Sequence, residues 1–199
     1  LKRVAGRSTN TLLGKLEAGR IDHRQDGKPP ARYDARELEG LPAPVQRYFR
    51  AALKDGQPII TAVTIDMAGT FNMSPTGEQW KPFTSRQRVV TRRPGFLWDA
   101  RVRVLPGVTV RVVDSYIVGN GRLHATVQGL FTVADMRGGG EIARGELMRW
   151  FAEVAWYPTA LLPSQGVRWA PLDEHSARAT LVVGPLELTL TFRVGDDGL

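Results

Sequence analysis

From Ile59 to about Val133 apolar and polar residues alternate with a period of two, as half-buried β-strands require. In FLWDARVRV, Trp98, Ala100, Val102 and Val104 fall on one side and Asp99, Arg101 and Arg103 on the other, predicting a strand with one wet face. VTVRVVDSYIV follows a Pro106-Gly107 turn, and Gly119-Asn120-Gly121 predicts a tight hairpin into RLHATVQGLF, where Leu123, Ala125, Val127 and Phe131 share a side. Near the C-terminus ARATLVV and LELTLTFRV join through Gly184-Pro185, with Leu186, Leu188, Leu190 and Phe192 alternating with polar neighbours. The middle of the chain therefore reads as an antiparallel meander.

Three stretches carry the helical period instead. Leu1 to Ala18 predicts an amphipathic helix through Val4, Leu12, Leu13 and Leu16, followed by a polar arm in which Pro29 and Pro30 forbid a helix. In LPAPVQRYFRAALKDG, Pro44 suits a first helical turn, Val45, Tyr48, Phe49, Ala52 and Leu53 form an apolar face, and Gly56 marks a stop. Glycines 138 to 140 break the sheet before a helix from Glu141 to about Ala155, built on Ile142, Leu147, Trp150, Phe151 and Val154 and ended by Pro158.

The count is eight or more strands with three helices and no internal repeat. Too few helices are present to shield the apolar side of a flat sheet of that width. The expected fold is α+β, mainly β: one strongly curved antiparallel sheet, a half-barrel, with helices over its open side. Residues 1–40 form an N-terminal helix and arm, and 41–199 a single half-barrel domain whose interior is filled by side chains or shared with a ligand.

Composition narrows the chemistry. At 199 residues, 42% hydrophobic and 24% charged, the chain has ordinary globular balance. Twenty-seven Lys and Arg against 20 Asp and Glu give +7, which brings in an anionic membrane surface as a partner. Nucleic acid is set aside, because none of its reading motifs is present. Absence of cysteine removes disulfides, thiolate metal sites and cysteine nucleophiles. No apolar run reaches the roughly 20 residues that cross a bilayer. The chain begins at Leu1, which fits removal of a leader or anchor, and the cell envelope or periplasm is favoured over the cytoplasm.

Catalytic patterns are missing. His23, His124 and His175 lack metal-ligand spacing, Ser115, Ser164 and Ser176 lack a nucleophile-elbow context, and the GNG and GGG runs lack the trailing residues of a phosphate loop, so neither cofactor nor metal is expected. Asp114 and Tyr116 share a strand face and form the one pair suited to proton transfer, with Glu153 as a further acid. The aromatic inventory is richer. Trp80, Phe83, Phe96, Trp98, Trp150, Tyr157 and Trp169 are expected to line a cavity with Arg149 and Glu153 at its mouth, where Glu146, Arg149 and Glu153 share one helix face.

Together LPAPVQRYFRAAL, WKPF, PGFLWDA, VVDSYIVGNGRL and GELMRWFAEVAWYPTALLP followed by VRWAPLD resemble a bacterial family of uncharacterised function over about residues 40 to 198. Members of that family often carry a hydrophobic N-terminal segment; residues 1–39 match it poorly. The meander, the DSYIVGNGRL hairpin and LELTLTFRV also resemble the half-barrel carriers of the periplasmic lipoprotein-sorting and lipoprotein-chaperone superfamily. That second resemblance implies an apolar cavity for acyl chains under a helical lid, with Glu146 to Trp169 as lid and rim. The expected function is non-catalytic binding or carriage of a hydrophobic, lipid-like ligand. Its rivals are an enzyme acting on a small hydrophobic substrate and an envelope interaction module.

Overall fold

The computed structural model describes residues 2–21, 31–74 and 76–199. Among them are three α-helices, α1 (Lys2–Ile21), α2 (Ala43–Ala52) and α3 (Gly140–Glu153), and nine strands. The protein is mainly β. The strands do not form one sheet: β1 (Ala62–Asn72), β2 (Trp80–Val90), β3 (Gly95–Leu105), β4 (Val108–Ile117), β5 (Asn120–Val127) and β6 (Phe131–Gly138) make a six-stranded antiparallel meander, while β7 (Arg168–Pro171), β8 (Ser176–Val183) and β9 (Leu186–Arg193) pair only with one another. In the meander β1 and β6 are the edges, so no closed barrel forms. The contacts gather into two compact units, Leu1–Gln25 with Ala62–Leu147, and Asp26–Thr61 with Met148–Leu199.

In the first unit the expected alternation holds on β2 and β3. Ser85 and Gln87 are buried between exposed neighbours on β2, Val89 is buried beyond them, and Phe96, Trp98, Ala100 and Val102 are buried on β3. Pairing carries this face across the sheet, since Gln87 stands opposite Trp98 and Trp98 opposite Asp114. The other face is not wet throughout, as the strand pattern alone predicts. Leu12, Leu13 and Leu16 of α1 cover Val90, Leu97, Val113 and Ile117 at one end of it, which is why Leu97 is buried on the nominally polar side. Beyond that patch the face bears Arg86 and Arg88 on β2, Arg101 and Arg103 on β3, Arg111 on β4, Arg122 on β5 and Arg137 on β6, against Asp66, Asp99 and Asp135.

Local boundaries differ from the pattern in three places. The β4–β5 turn is Val118-Gly119, both at positive φ (49° and 77°), and Asn120 already belongs to β5. Two left-handed residues match the right-handed twist of a hairpin, so the turn forms one step earlier than the Gly-Asn-Gly run implies. Helix α3 ends at Glu153 and tightens into a 3₁₀ turn over Val154–Trp156, because Pro158 drives Tyr157 out of the helical region (φ −136°, ψ 68°). Helix α2 ends at Ala52, with Leu53 extended and Gly56 serving a following turn. The expected polar arm falls largely on residues 22–30, outside those described; Arg32 then bridges to Pro58.

The second unit packs α2 on β8. Trp169, Ala179 and Leu190 are cross-strand partners, as are Pro171, Ala177 and Phe192, so one face of the three-stranded sheet is apolar. Val45 and Phe49 of α2 are buried with Ala177, Ala179 and Leu188.

Candidate functional site

In the six-stranded sheet, the apolar face not occupied by α1 concentrates aromatic side chains. Phe71 of β1, Phe83 of β2 and Trp98 of β3 form a mutual trio, with ring centroids 6.1 Å apart for Phe71–Phe83 and 6.3 Å for each pair with Trp98. Gly69 is the cross-strand partner of Phe83, and the Phe83 ring lies 3.5 Å from where a Cβ would stand there, an ordinary contact distance. Such ring pairs contribute about 0.5–1.5 kcal/mol beyond their buried area. Val63, Ile65 and Met67 on β1 extend the face and are only half-buried.

Polar groups interrupt this surface at one level. Ser85 and Gln87 on β2 and Asp114 on β4 are all buried there. Gln87 and Asp114 keep interactions with the protein, whereas Ser85 Oγ has no hydrogen-bond partner among the described residues. A buried hydroxyl without a partner costs free energy unless something else supplies the bond. Tyr116, two residues from Asp114 on the same face, has its phenol pushed up above the ordinary range by burial, so it stays protonated at neutral pH.

Of the expected site residues, Phe83, Phe96 and Trp98 lie on this face, with Phe96 fully buried opposite Tyr116. Trp80, at the start of β2, is exposed instead. The other five belong to the second unit. Trp150 and Tyr157 are fully buried against each other (6.1 Å), with the Tyr157 hydroxyl donating to the Trp150 carbonyl at 3.3 Å. Burial and nearby Glu153 push that phenol up strongly. Trp169 packs edge-on against Phe49 and Phe192 and donates its indole N–H to the Leu161 carbonyl at 3.0 Å. Arg149 and Glu153 form an i,i+4 ion pair at 2.9 Å.

Pattern reading passed over Phe71 and Ser85. Their signal was in the chain: in WKPFTSRQRVV the odd positions Phe83, Ser85, Gln87 and Val89 fall on the buried side, so two polar residues sit where the period demands apolar ones. Of the histidines, His124 lies on β5, its pKa lowered by burial and by Arg122. His175 lies 3.6 Å from Asp196, and His23 is outside the described residues. No cluster of three metal-ligating side chains occurs among the described residues, and no described helix is long and apolar enough to cross a membrane.

A family model described as "Family of unknown function (DUF6920)" matches residues 39–199. No curated protein and no solved structure matches the chain.

Proposed function

We propose, for a chain that belongs to the DUF6920 family of unknown function, that it binds a hydrophobic, lipid-like molecule without chemical change on the apolar face of the six-stranded sheet. The observation that carries this reading is the Phe71–Phe83–Trp98 trio, partly open to solvent at Phe71, on the same face as a buried Ser85 hydroxyl with no hydrogen-bond partner among the described residues. Aromatic walls with one polar anchor suit a ligand that is apolar over most of its length and polar at one point. Acyl burial on such a face is worth about 0.8 kcal/mol per methylene. In this proposal the sheet curves around the ligand as a half-barrel, and the resemblance to envelope lipoprotein carriers supports that shape.

The test is titration with a polarity-sensitive fluorescent fatty acid, paired with native mass spectrometry of the purified protein. Saturable binding and a retained apolar mass are expected. Phe71→Ala and Phe83→Ala should each weaken binding by about tenfold, the loss of one aromatic contact. Absence of both saturable binding and retained mass would sink the carrier reading.

A second reading, proton-transfer chemistry on a small hydrophobic substrate, draws on Asp114 and Tyr116 sharing that face. A phenol whose pKa is raised by burial has almost no phenolate at neutral pH with which to abstract a proton, which weakens Tyr116 as a base. Turnover of an apolar ester or ketone probe that Asp114→Asn abolishes would revive the enzyme.

A further inference from the structure

The antiparallel order of the meander places three hairpins, β1–β2, β3–β4 and β5–β6, at the same end of the sheet. Each tip leaves large apolar side chains in solvent: Phe71 and Trp80 on the first, Leu105 on the second, Leu130, Phe131 and Val133 on the third, between 39% exposed for Phe71 and 69% for Phe131. Isolated exposed apolar residues need no explanation, but six gathered on successive tips of one sheet end do. α1 covers the opposite end, around Val90, Leu97 and Ile117; Val118 of the β4–β5 turn is also exposed there, but the cluster of six lies at the uncovered end.

Charge accompanies these tips. Arg103 is two residues from Leu105 on β3 and Arg101 four, both exposed and without a carboxylate partner among the described residues. They continue the arginine-rich face, seven arginines against three aspartates, which carries neither lysine nor glutamate. Beside Arg101 a shallow depression of about 390 Å³ is floored by Thr84 and Ala68, with Arg86 held to Asp66 at 2.7 Å on its rim.

We infer that this hairpin end docks on an anionic membrane surface, the apolar tips entering the headgroup–acyl boundary while Arg101 and Arg103 meet lipid phosphates. Trp and Phe suit that boundary, and arginine stems run along apolar surface while their heads reach phosphate. Single-stranded nucleic acid also attracts arginines beside aromatics. Leu105, Leu130 and Val133, however, have no π-face on which a base could stack, whereas acyl chains accept any apolar side chain. Of the six tip residues only Phe71 also belongs to the ligand face proposed above; Trp80, Leu105, Leu130, Phe131 and Val133 do not, and the test below uses Trp80 and Phe131.

The experiment is co-sedimentation of the full chain with vesicles of phosphatidylcholine alone or mixed with phosphatidylglycerol, across a range of salt. Anionic vesicles are expected to bind, with affinity falling steeply as salt rises, and neutral vesicles to bind about tenfold or more weakly. The tip variant Trp80→Ser with Phe131→Ser, and the charge variant Arg101→Ser with Arg103→Ser, should each lose roughly tenfold in binding to anionic vesicles. All four positions are exposed, and circular dichroism is to check that the variants fold. Equal binding to both vesicle types, binding untouched by either variant, or preference for a single-stranded RNA over anionic vesicles overturns the inference. Fatty-acid titration of the tip variant separates the two ideas: an unchanged titration with lost sedimentation supports a docking end distinct from the ligand face.

Discussion

At Val118 a β-branched residue occupies the left-handed region (φ 49°), 72% exposed, at the first central position of the β4–β5 turn. Valine is among the residues least suited to that backbone, and nothing packs on its side chain strongly enough to explain it. Asn adopts the same angles at far lower cost, so Val118→Asn should stabilise the protein by about 1 kcal/mol, raising the thermal midpoint roughly 2–4 °C. Three residues on, Gly121 is constrained by proximity rather than by φ. A Cβ there would stand 2.7 Å from the Ile142 carbonyl oxygen at the start of α3, and backbone cannot swing aside as a side-chain end does. Gly121→Ala is therefore expected to cost about 2 kcal/mol or more in urea unfolding, a small-to-large penalty at a site with no room. The Gly121 prediction fails if the variant unfolds at the wild-type urea concentration.

Elements are held to one another by few specific bonds, and the clearest joins β3, β4 and α1. Arg111 grips Asp99 with two hydrogen bonds (2.9 and 2.7 Å) and donates a third to Thr9 Oγ1 at 2.9 Å, with both charged side chains only about a fifth exposed. The bonds to Asp99 raise the Arg111 pKa further, so the guanidinium stays charged. Because the pair is partly desolvated, Asp99→Ala leaves a cation short of its partner. That should cost roughly 1–2 kcal/mol, between the values of exposed and buried pairs, and Asp99→Ala with Arg111→Met should recover part of it. A double-mutant cycle in urea gives the coupling, and a value near zero would mean that the Asp99–Arg111 pair adds nothing to stability. The strands themselves were legible because period two survives wherever one face is dry: β3 and β9 lie where alternation puts them. Less legible was the division into six and three strands, since pairing partners leave no mark in local alternation. Part of the candidate site was legible in the same way, with Phe83, Phe96 and Trp98 placed by alternation on one face. Phe71 continues the alternation of Val63, Ile65 and Met67 on β1, but that this side meets Phe83 and Trp98 is a relation between strands that no single strand's sequence encodes.

Across the whole molecule, all four tyrosines are held in their neutral form. Burial raises the phenols of Tyr33, Tyr48, Tyr116 and Tyr157, with Tyr48 pushed up to about 12. Two of the hydroxyls also donate hydrogen bonds that a phenolate could not make, Tyr48 to the Ala155 carbonyl at 3.0 Å and Tyr157 to Trp150. In the unfolded chain each phenol ionises near 10, so the folded state binds more protons than the unfolded one above that pH. The resulting stability is complete below pH 10 and is lost as pH rises from about 10 through 12 and beyond. Tyrosinate absorbance should accordingly rise at higher pH in the folded protein than in the unfolded chain, with the phenols of Tyr48 and Tyr157 ionising only together with loss of far-ultraviolet circular dichroism. Tyr48→Phe removes one linked proton and should flatten the decline between pH 10 and 12, because Phe keeps the ring buried with nothing to ionise. If tyrosinate instead forms near pH 10 while the dichroism is intact, the phenols are open to solvent and the packing around Tyr48 and Tyr157 is looser than the structure has it.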